Sequence, residues 1–488
     1  MHPILCGFNP DPSICKVEDT YYLVTSTFEF FPGLPIYAST DLLTWELVSH
    51  VVYRQDQFSF DKMGASRGLF APTIRFHKGT FYVTVCDVTE KGNCMLTSTN
   101  ILGPWSDPMP LAIEGIDPSL FFDDDDRCYL TTNANVDGRN GIALVEIDAK
   151  TGNFLSSPIS ICAGAGGRYP EAPHLYKINN FYYLLLGEGG TEYGHCVTLF
   201  RSNSITGPYE SSPSNPILSH RDKSDDPFQC TGHADVFQDA DDVWWAVFLA
   251  TRPLDGVLLH NLGRETFLSP LRWDENGWFI IEDRSEMQLS EVLRTRLPLR
   301  FDDKRWLHCR IPEKDAFSST EKPGELRVRG NGKRLTDDKG NPSFAGIRQA
   351  QHNATFKATL KVDDKAFEAG LTAYYNDQYH YALVVDRNEQ GVVRLRSEHC
   401  LHGILYVVSE EVLVLNSSDL VLEIVCDQHF YRFFCMGKEM TMGKTAALCT
   451  EGTQTMTFTG VLLGLFAVQG TVVFSDVVYS DEISLHQS

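Results

Sequence analysis

The sequence lacks the features that mark several classes of protein. None of its apolar runs approaches the roughly 18 residues that a membrane-spanning helix needs, and Met1-His2-Pro3 is followed by no apolar signal region. Basic residues are outnumbered, because 42 lysines and arginines face 64 aspartates and glutamates, a formal net charge of −22. Such a charge repels nucleic acids and anionic membranes. We therefore expect a cytoplasmic protein with no nucleic-acid or membrane partner, unless a signal segment has been removed from it.

A disulfide or zinc framework is also missing. The 13 cysteines are an odd number, they occur singly inside apolar runs, as Cys86, Cys128 and Cys196 do, and none forms a CxxC pair. This usage favours buried reduced thiols over a disulfide scaffold or a zinc site.

Low-complexity tracts are absent as well. Glycine and proline are scattered along the chain, and 43% of the residues are hydrophobic, as in an ordinary globular protein. A length of 488 residues exceeds one ordinary compact core, so we expect two domains.

A repeat runs through residues 1 to about 300. Each copy has a small residue or proline, a short apolar strand, a polar turn and an aromatic-rich strand, which is the pattern of a β-hairpin. The second residues of the copies are separated by 60, 46, 55 and 61 positions, and they are Pro12, Pro72, Pro118, Pro173 and Ala234. Five hairpin-centred units of this size predict a five-bladed β-propeller over residues 1–300.

Chemically useful residues occur at the start of each repeat. If the units are blades, their first strands line the central axis, and the residues at the starts of these strands converge at one mouth of the ring. These residues are Asp11, the pair Phe70-Ala71, Asp117, Glu171 beside Ala172, and His233. Each acid taken alone is explained as a turn residue. Three acids in register are harder to explain in this way, since like charges that converge destabilise a fold.

Carboxylates that face one another across a pocket are the residues that catalyse glycoside hydrolysis. One protonates the leaving oxygen, and the other activates water or attacks the anomeric carbon. A third would help to keep the acid protonated at neutral pH. Aromatic residues near the same mouth would stack on sugar faces, although an aromatic residue after a strand is more often part of the core than a platform for a ligand. They are Phe28, Phe30, Phe31, Phe70 and Tyr169.

Several long motifs make the chain resemble a known family. The segments "GFNPDPSI", "YYLVTSTFEFFPGLPI", "DPSLF", "YPEAPHLY", "EGGT", "GHADV" and "LGRET" are similar to those of glycoside hydrolase family 43, in particular its β-xylosidase group. This resemblance covers nearly the whole chain. It implies an inverting, exo-acting enzyme that releases xylose from the non-reducing end of β-1,4-xylo-oligosaccharides.

The resemblance also implies a role for each matching residue. Asp11 would be the general base, Glu171 the general acid, and Asp117 the carboxylate that raises the pKa of the acid and orients it. Arg264 would hold a substrate hydroxyl. The remaining substrate-binding positions would be Phe31, Phe70, Thr191, His233 and Phe458.

Metal use and specificity stay open at this stage. No cofactor is implied, but some members of the family hold a structural calcium at the propeller axis, and His233 would reach such an ion only through water. Where the family usually has "WAP" this chain has Phe70 in "LFAPT", and Arg264 follows His233 by only 31 positions. Both departures bear on which sugar fits the pocket.

The second half of the chain has a different pattern. From about Arg300 the strands alternate apolar and polar residues, as in "ATFKATLKV", and they are separated by turns. This pattern predicts a jelly-roll-like β-sandwich over residues 301–488. Such domains often bind sugars independently, whereas in the family the domain packs on the propeller and lends a loop with an aromatic residue, here Phe458, to the rim of the active site.

Other functions are compatible with the same residues. An α-L-arabinofuranosidase or a bifunctional enzyme needs the same carboxylates. A non-catalytic sugar-binding propeller would have no use for an acid of raised pKa. A polysaccharide lyase is a further alternative, and a retaining fructosidase-like propeller carries an "NDPNG" motif that "NPDPSI" does not match. A homo-oligomer is compatible with the sequence but is not indicated by it.

Overall fold

The computed structural model describes residues 2–282, 294–320, 322–415, 417–453 and 455–482. Over these ranges the chain is built from β-strands, and the two helical segments are single 3₁₀ turns at Phe60–Lys62 and Thr445–Leu448. No helix in the described part is long and apolar enough to cross a membrane.

Residues up to Ile281 form a five-bladed β-propeller, as the repeat predicts. Each blade is an antiparallel sheet whose strands follow one another in sequence from the axis outwards. The strands are, in blade 1, Ser13–Val17, Thr20–Val24, Gly33–Ser39 and Glu46–Val52; in blade 2, Thr73–His77, Thr80–Asp87, Gly92–Ser98 and Met109–Pro110; in blade 3, Ile116–Phe122, Cys128–Val136, Arg139–Ile147 and Ile159–Cys162; in blade 4, Glu171–Ile178, Phe181–Glu188, Cys196–Ser202, Glu210–Ser211 and Leu218–Ser219; and in blade 5, Gln229–Gln238, Trp244–Thr251, Glu265–Trp273 and Phe279–Ile281.

The hairpins of the repeat are the first two strands of each blade. Their tips need left-handed backbone, which the polar turn residues supply. At the tip of blade 2, Lys78 and Gly79 have φ of 46° and 79°, the geometry of a two-residue turn that matches the twist of the strands. The first strand of every blade then faces its neighbours around the axis.

The first residues of the chain close the ring. Leu5 pairs with Thr266 in the third strand of blade 5, and the Ile4 amide donates to the Thr266 carbonyl at 2.8 Å. Further along, the Asn9 amide donates to the Arg264 carbonyl at 2.9 Å. This closure brings the segment that carries Asp11 beside the segment that carries Arg264.

The second domain is a β-sandwich of two antiparallel sheets. The eight-stranded sheet has the order Phe317–Ser319, Leu326–Arg329, Thr471–Glu482, Asn353–Lys361, Asp419–Cys426, Phe430–Cys435 and Lys438–Lys444, with Arg294–Pro298 also paired to Thr471–Glu482. The six-stranded sheet has the order Ser343–Arg348, Leu462–Gln469, Phe367–Asn376, Tyr379–Arg387, Val393–Leu401 and Ile404–Leu413. The alternation in "ATFKATLKV" buries Phe356, Ala358 and Leu360 between the sheets.

The two domains share an apolar contact. Phe8 and Phe30 of the propeller pack in one cluster with Leu307, Phe344 and Tyr374 of the sandwich. A short strand, His308–Cys309, also pairs with Phe30–Phe31 between the second and third strands of blade 1. Because Arg294–Pro298 pairs with the last strand of the sandwich, its hydrogen bonds place it in the second domain, slightly before the boundary expected at residue 301.

Candidate active site

One pocket at a mouth of the propeller gathers the residues from the starts of the inner strands. Its cavity volume is about 90 Å³. Its lining comprises Asp11, Phe28, Phe70, Ala71, Ile116, Asp117, Glu171, Thr191, His195, His233, Arg264 and Phe458. The structure therefore brings together the three carboxylates and five of the six other positions taken from the resemblance.

A left-handed backbone conformation recurs at these positions and orients their side chains. Asp11, Asp117 and His233 have φ of 55°, 58° and 49°, and Ala172, directly after Glu171, has φ of 52°. Non-glycine residues rarely adopt this left-handed conformation, and such strain concentrates at functional sites. In blades 3, 4 and 5 the strand pairing also shifts register at this point, so a bulge redirects the chain where it meets the pocket.

Asp11 lies among donors and positive charge. The Arg264 Nη1 donates to its Oδ1 at 2.9 Å, the Ser26 hydroxyl donates to its Oδ2 at 2.6 Å, and the His233 Nδ1 lies 3.6 Å from Oδ1. Burial acts to raise the pKa of Asp11, but Arg264, His233 and Ser26 outweigh it and hold the pKa below its ordinary value. Asp11 is therefore an ionised carboxylate.

Glu171 has the opposite environment. Burial, followed by the negative charges of Asp117 and Asp11, raises the pKa of Glu171 well above its ordinary value. Burial also raises the pKa of Asp117, whose Oδ2 accepts a hydrogen bond from the Ala172 amide at 3.0 Å. This bond fixes Asp117 against the residue next to Glu171. The pocket thus holds one carboxyl group whose surroundings favour the ionised form and one whose surroundings favour the protonated form.

Arg264 links the base to the wall of the pocket. Its Nη1 also donates to the Thr191 hydroxyl at 3.0 Å, and its Nη2 donates to the Phe458 carbonyl at 3.4 Å. The guanidinium lies 5.3 Å from the ring centroid of Phe458 and 5.8 Å from that of Phe28, a cation–π arrangement. Arg264 therefore has a fixed position and a fixed charge.

Three phenylalanine rings form the apolar side of the pocket. Phe28 stacks on Phe458 with ring centroids 5.6 Å apart, and Phe70 meets both rings edge-on at 5.5 Å. Phe458 belongs to the sandwich, and its amide donates to the Ser66 hydroxyl of the propeller at 3.0 Å. The sandwich therefore completes the rim of the pocket.

Two glycines let the domains approach closely enough for this. A Cβ on Gly460 would lie 2.2 Å from the Leu262 carbonyl oxygen, and a Cβ on Gly263 would lie 3.0 Å from the Gly460 amide nitrogen. Since real Cβ atoms do not come so close to backbone, only glycine fits at these positions. The contact holds the chain segments of Phe458 and Arg264 side by side.

The structure places Phe31 apart from the other predicted site residues. Its ring is not part of the pocket lining. It packs edge-on against Phe60, with centroids 5.5 Å apart, in the core between blades 1 and 2. The left-handed backbone at Phe28, with φ of 55°, directs that ring into the pocket instead. Of the other aromatic residues near the mouth, Phe30 is buried in the domain contact and Tyr169 is 60% exposed.

His195 is a pocket residue that sequence reasoning missed. Its Nδ1 lies 3.0 Å from the Cys230 carbonyl, which only accepts, so Nδ1 carries the proton and Nε2 has a free lone pair. Burial lowers the pKa of His195 to about 3, and the imidazole is neutral. A Cβ at position 232 would lie 2.2 Å from the ring. Glycine at position 232 leaves room for the His195 ring. This glycine, next to His233, was the only feature of the sequence that pointed to His195.

His233 does not belong to a metal-binding set. Within the described ranges, no group of three or more histidine, cysteine, aspartate or glutamate side chains is arranged to hold a metal ion. The His233 Nδ1 lies 3.6 Å from the Asp11 Oδ1, and the oxygens of Asp11 already accept from Arg264 and Ser26. These residues do not fit a directly coordinated calcium, which takes 6–8 oxygen ligands.

Comparisons with known proteins agree with this geometry. The model of "Glycosyl hydrolases family 43" matches residues 1–279, and the model of "Beta xylosidase C-terminal Concanavalin A-like domain" matches residues 301–477. The chain is 38% identical to a non-reducing end alpha-L-arabinofuranosidase of Bacteroides ovatus, over 96% of this chain and 90% of that protein. It is 37% identical to a xylosidase/arabinosidase of Butyrivibrio fibrisolvens, over 79% of each.

A solved structure extends the likeness to the whole fold. The xylan beta-1,4-xylosidase of Bacillus halodurans superimposes with a TM-score of 0.87 at 31% identity, and 99% of each chain is covered. Both domains, their order and the family-defining segments are thus accounted for. The chain belongs to glycoside hydrolase family 43 and is a glycosidase.

Proposed function

We propose that the protein is an inverting, exo-acting β-xylosidase that releases xylose from the non-reducing end of β-1,4-xylo-oligosaccharides. The observation that carries the proposal is the opposite environment of two carboxyl groups in one pocket. The pKa of Asp11 is held below its ordinary value and the pKa of Glu171 well above it. A carboxylate that serves as base and a carboxylic acid that serves as proton donor are what glycoside hydrolysis needs.

The proposed reaction uses each group once. Asp11 accepts a proton from a water molecule, the water oxygen attacks the anomeric carbon, and Glu171 gives its proton to the departing glycosidic oxygen. The bond between the anomeric carbon and that oxygen breaks as the new one forms, so the configuration inverts. Asp117 keeps Glu171 protonated through its negative charge. Arg264 keeps Asp11 ionised and in place.

Exo action is supported by the shape of the rim. Phe458 and Phe28 stack on one side of the pocket, and the Phe70 ring packs edge-on against Phe458. In our proposal, the end of a chain enters beside this aromatic wall and the wall stops the chain from continuing past the pocket. The sandwich has this rim role in our proposal, rather than that of an independent sugar-binding module.

A second candidate is α-L-arabinofuranosidase activity, alone or together with xylosidase activity. The relative that is 38% identical over 96% of this chain carries that name, and the relative that is 37% identical is named for both activities. The pocket residues described above serve both reactions, because terminal arabinofuranose and xylopyranose present similar hydroxyl groups.

Kinetics on matched substrates rank the two candidates. The measurement is kcat/KM on the p-nitrophenyl glycosides of β-D-xylopyranose and α-L-arabinofuranose, together with xylobiose. The proposal expects the higher value on the xyloside and turnover of xylobiose. A higher value on the arabinoside with no turnover of xylobiose would reverse the order. Proton NMR of the first-formed anomer tests inversion separately.

The proposal extends to the setting of the enzyme. The 13 cysteines are all unpaired and 11 of them are buried, which supports a cytoplasmic location, where thiols stay reduced. No cofactor takes part in the proposed reaction.

A further inference from the structure

A buried ion pair joins the inner strands of blades 2 and 5. The Arg75 Nη1 lies 2.8 Å from the Asp235 Oδ2, and the Arg75 Nη2 lies 3.2 Å from the Asp235 Oδ1, so the contact is bidentate. The Asp235 side chain has no solvent exposure and that of Arg75 has 16%. Charges buried this deeply are stable only when they are paired and hydrogen-bonded.

The other three blades complete the site. From blade 1, the Ser13 hydroxyl accepts from Arg75 Nη1 at 3.1 Å and donates to Asp235 Oδ2 at 2.6 Å. From blade 4, the Tyr176 hydroxyl donates to Asp235 Oδ1 at 2.5 Å. From blade 3, Ser119 reaches the pair through the imidazole described next. Side chains from all five inner strands therefore converge on one cation and one anion at the propeller axis.

His174 of blade 4 connects this network to the catalytic pocket. Its Nδ1 accepts from Arg75 Nη2 at 3.0 Å, and Ser119 Oγ lies 2.9 Å from the same nitrogen. Since arginine only donates, the imidazole proton must be on Nε2. Burial lowers the pKa of His174 to about 3, so the ring stays neutral. Its centroid lies 6.4 Å from that of His233, which is the ion-pair neighbour of Asp11.

The oxygens of Asp235 have no capacity left for a metal. Oδ2 accepts from the Ser13 hydroxyl, the Ile14 amide and Arg75, and Oδ1 accepts from Tyr176 and Arg75. Five donors thus occupy the roughly four lone-pair sites of a carboxylate. A calcium ion would have to displace the arginine and find several further oxygens.

We infer that Arg75 is the built-in cation of the propeller axis, so that this enzyme holds its five blades together with a guanidinium group and needs no calcium ion there. The inference concerns how the ring is held, and it does not depend on which sugar the pocket accepts.

The wild-type protein gives the first test. After purification without added metal, elemental analysis should find less than stoichiometric calcium, and neither 5 mM EDTA nor 5 mM CaCl₂ should shift the melting temperature. One calcium per chain, or a melting temperature that EDTA lowers and calcium restores, would overturn the inference even if the enzyme hydrolysed xylosides as proposed.

The second test removes the cation. Arg75→Met leaves the Asp235 charge uncompensated, and losing one partner of a buried pair should lower the melting temperature by roughly 10 °C. Arg75→Met/Asp235→Asn should recover part of that loss, because the buried charge is gone. The matched control is Arg127→Met, which removes an exposed pair with Asp125 and should change little.

Each outcome of the second test is decisive. A single variant as stable as the wild type contradicts the inference, and so does a double variant that is less stable than Arg75→Met, because that result assigns the arginine a packing role. If Arg75→Met does not fold, its loss of stability is too large to be measured. The metal content of the wild type and its response to EDTA then decide whether the axis needs calcium.

Discussion

Arg264 Nη1 donates to Asp11 Oδ1 at 2.9 Å and to the Thr191 hydroxyl at 3.0 Å. One nitrogen thus joins the proposed base, which lies before the first inner strand, to a side chain that follows the second strand of blade 4. Ring closure makes this contact, because the Asn9 amide pairs with the Arg264 carbonyl. The ionised state of Asp11 therefore depends on a residue 253 positions away in the chain.

Removing this guanidinium should change the acidic limb of the pH profile. Without Arg264, burial of Asp11 is less well compensated, so its pKa rises and activity is lost at a higher pH as the solution is acidified. We expect the acidic limb of the kcat/KM profile of Arg264→Met to shift to higher pH, by about one pH unit or more. The control, Arg221→Met at an exposed position, should keep the wild-type profile. An unshifted limb in Arg264→Met would exclude Arg264 as the group that holds Asp11 ionised.

The acid and the base should respond differently to the leaving group. Asp11→Asn should lose at least about 10²-fold in kcat on every substrate, because water is no longer deprotonated. Glu171→Gln should lose a similar factor on xylobiose but much less on an aryl xyloside, whose phenolate leaves without a proton. Asp125→Asn, at an exposed hairpin tip, is the control. Circular dichroism checks that each variant is folded. Equal losses on both substrates for Glu171→Gln would contradict its role as the acid.

Asp117 should set the alkaline limb. Its negative charge is the largest contribution after burial to the raised pKa of Glu171. Asp117→Asn removes that charge, so Glu171 should lose its proton at a lower pH and the alkaline limb of kcat/KM should move down. The acidic limb, which follows Asp11, should move much less. An alkaline limb that stays in place would mean that burial alone keeps Glu171 protonated.

The propeller and the three carboxylates were predictable from the sequence because their signals are local. Each blade repeats a hairpin with its own turn residues, and Asp11, Asp117 and Glu171 occur at the start of these repeats. Strand alternation likewise predicted the sandwich, since Phe356 and its partners are separated by two positions.

The remaining pocket residues depend on contacts that no local pattern contains. Phe28 and Phe31 are three positions apart in one aromatic run, and the left-handed backbone at Phe28 decides which ring enters the pocket. His195 lies there because Gly232, in another blade, leaves room for its ring. The partner of Arg75 is 160 positions away, and nothing in the sequence near Arg75 indicates that it meets Asp235.

The difference between Phe458 and Phe31 can be measured. Phe458→Ala removes a ring that stacks on Phe28 and lies over Arg264, so we expect KM to rise by about 5–30-fold with little change in stability. Phe31→Ala opens a cavity in the core beside Phe60, which should cost about 3–5 kcal/mol of unfolding free energy and leave the KM of the folded fraction near that of the wild type. The converse pattern would return Phe31 to the pocket.

A buried carboxyl group behind the rim should make stability depend on pH. Glu29 is 2% exposed, its Oε2 accepts from the Ser66 amide at 3.0 Å, and the Ser66 hydroxyl accepts from the Phe458 amide at 3.0 Å. Burial raises the pKa of Glu29 to about 8. The folded protein therefore binds this proton more tightly than the unfolded chain does, so the stabilisation is complete below the unfolded pKa near 4.5 and is lost as the pH rises through about 8.

Glu29→Gln should remove this dependence, because the amide has the shape of the protonated acid and does not titrate. We expect the melting temperature of the variant, relative to the wild type, to rise by several degrees between pH 5 and pH 9. Glu18→Gln, at the exposed tip of the first hairpin, should follow the wild type throughout. A constant difference between Glu29→Gln and the wild type over this range would mean that Glu29 titrates alike in the folded and unfolded states.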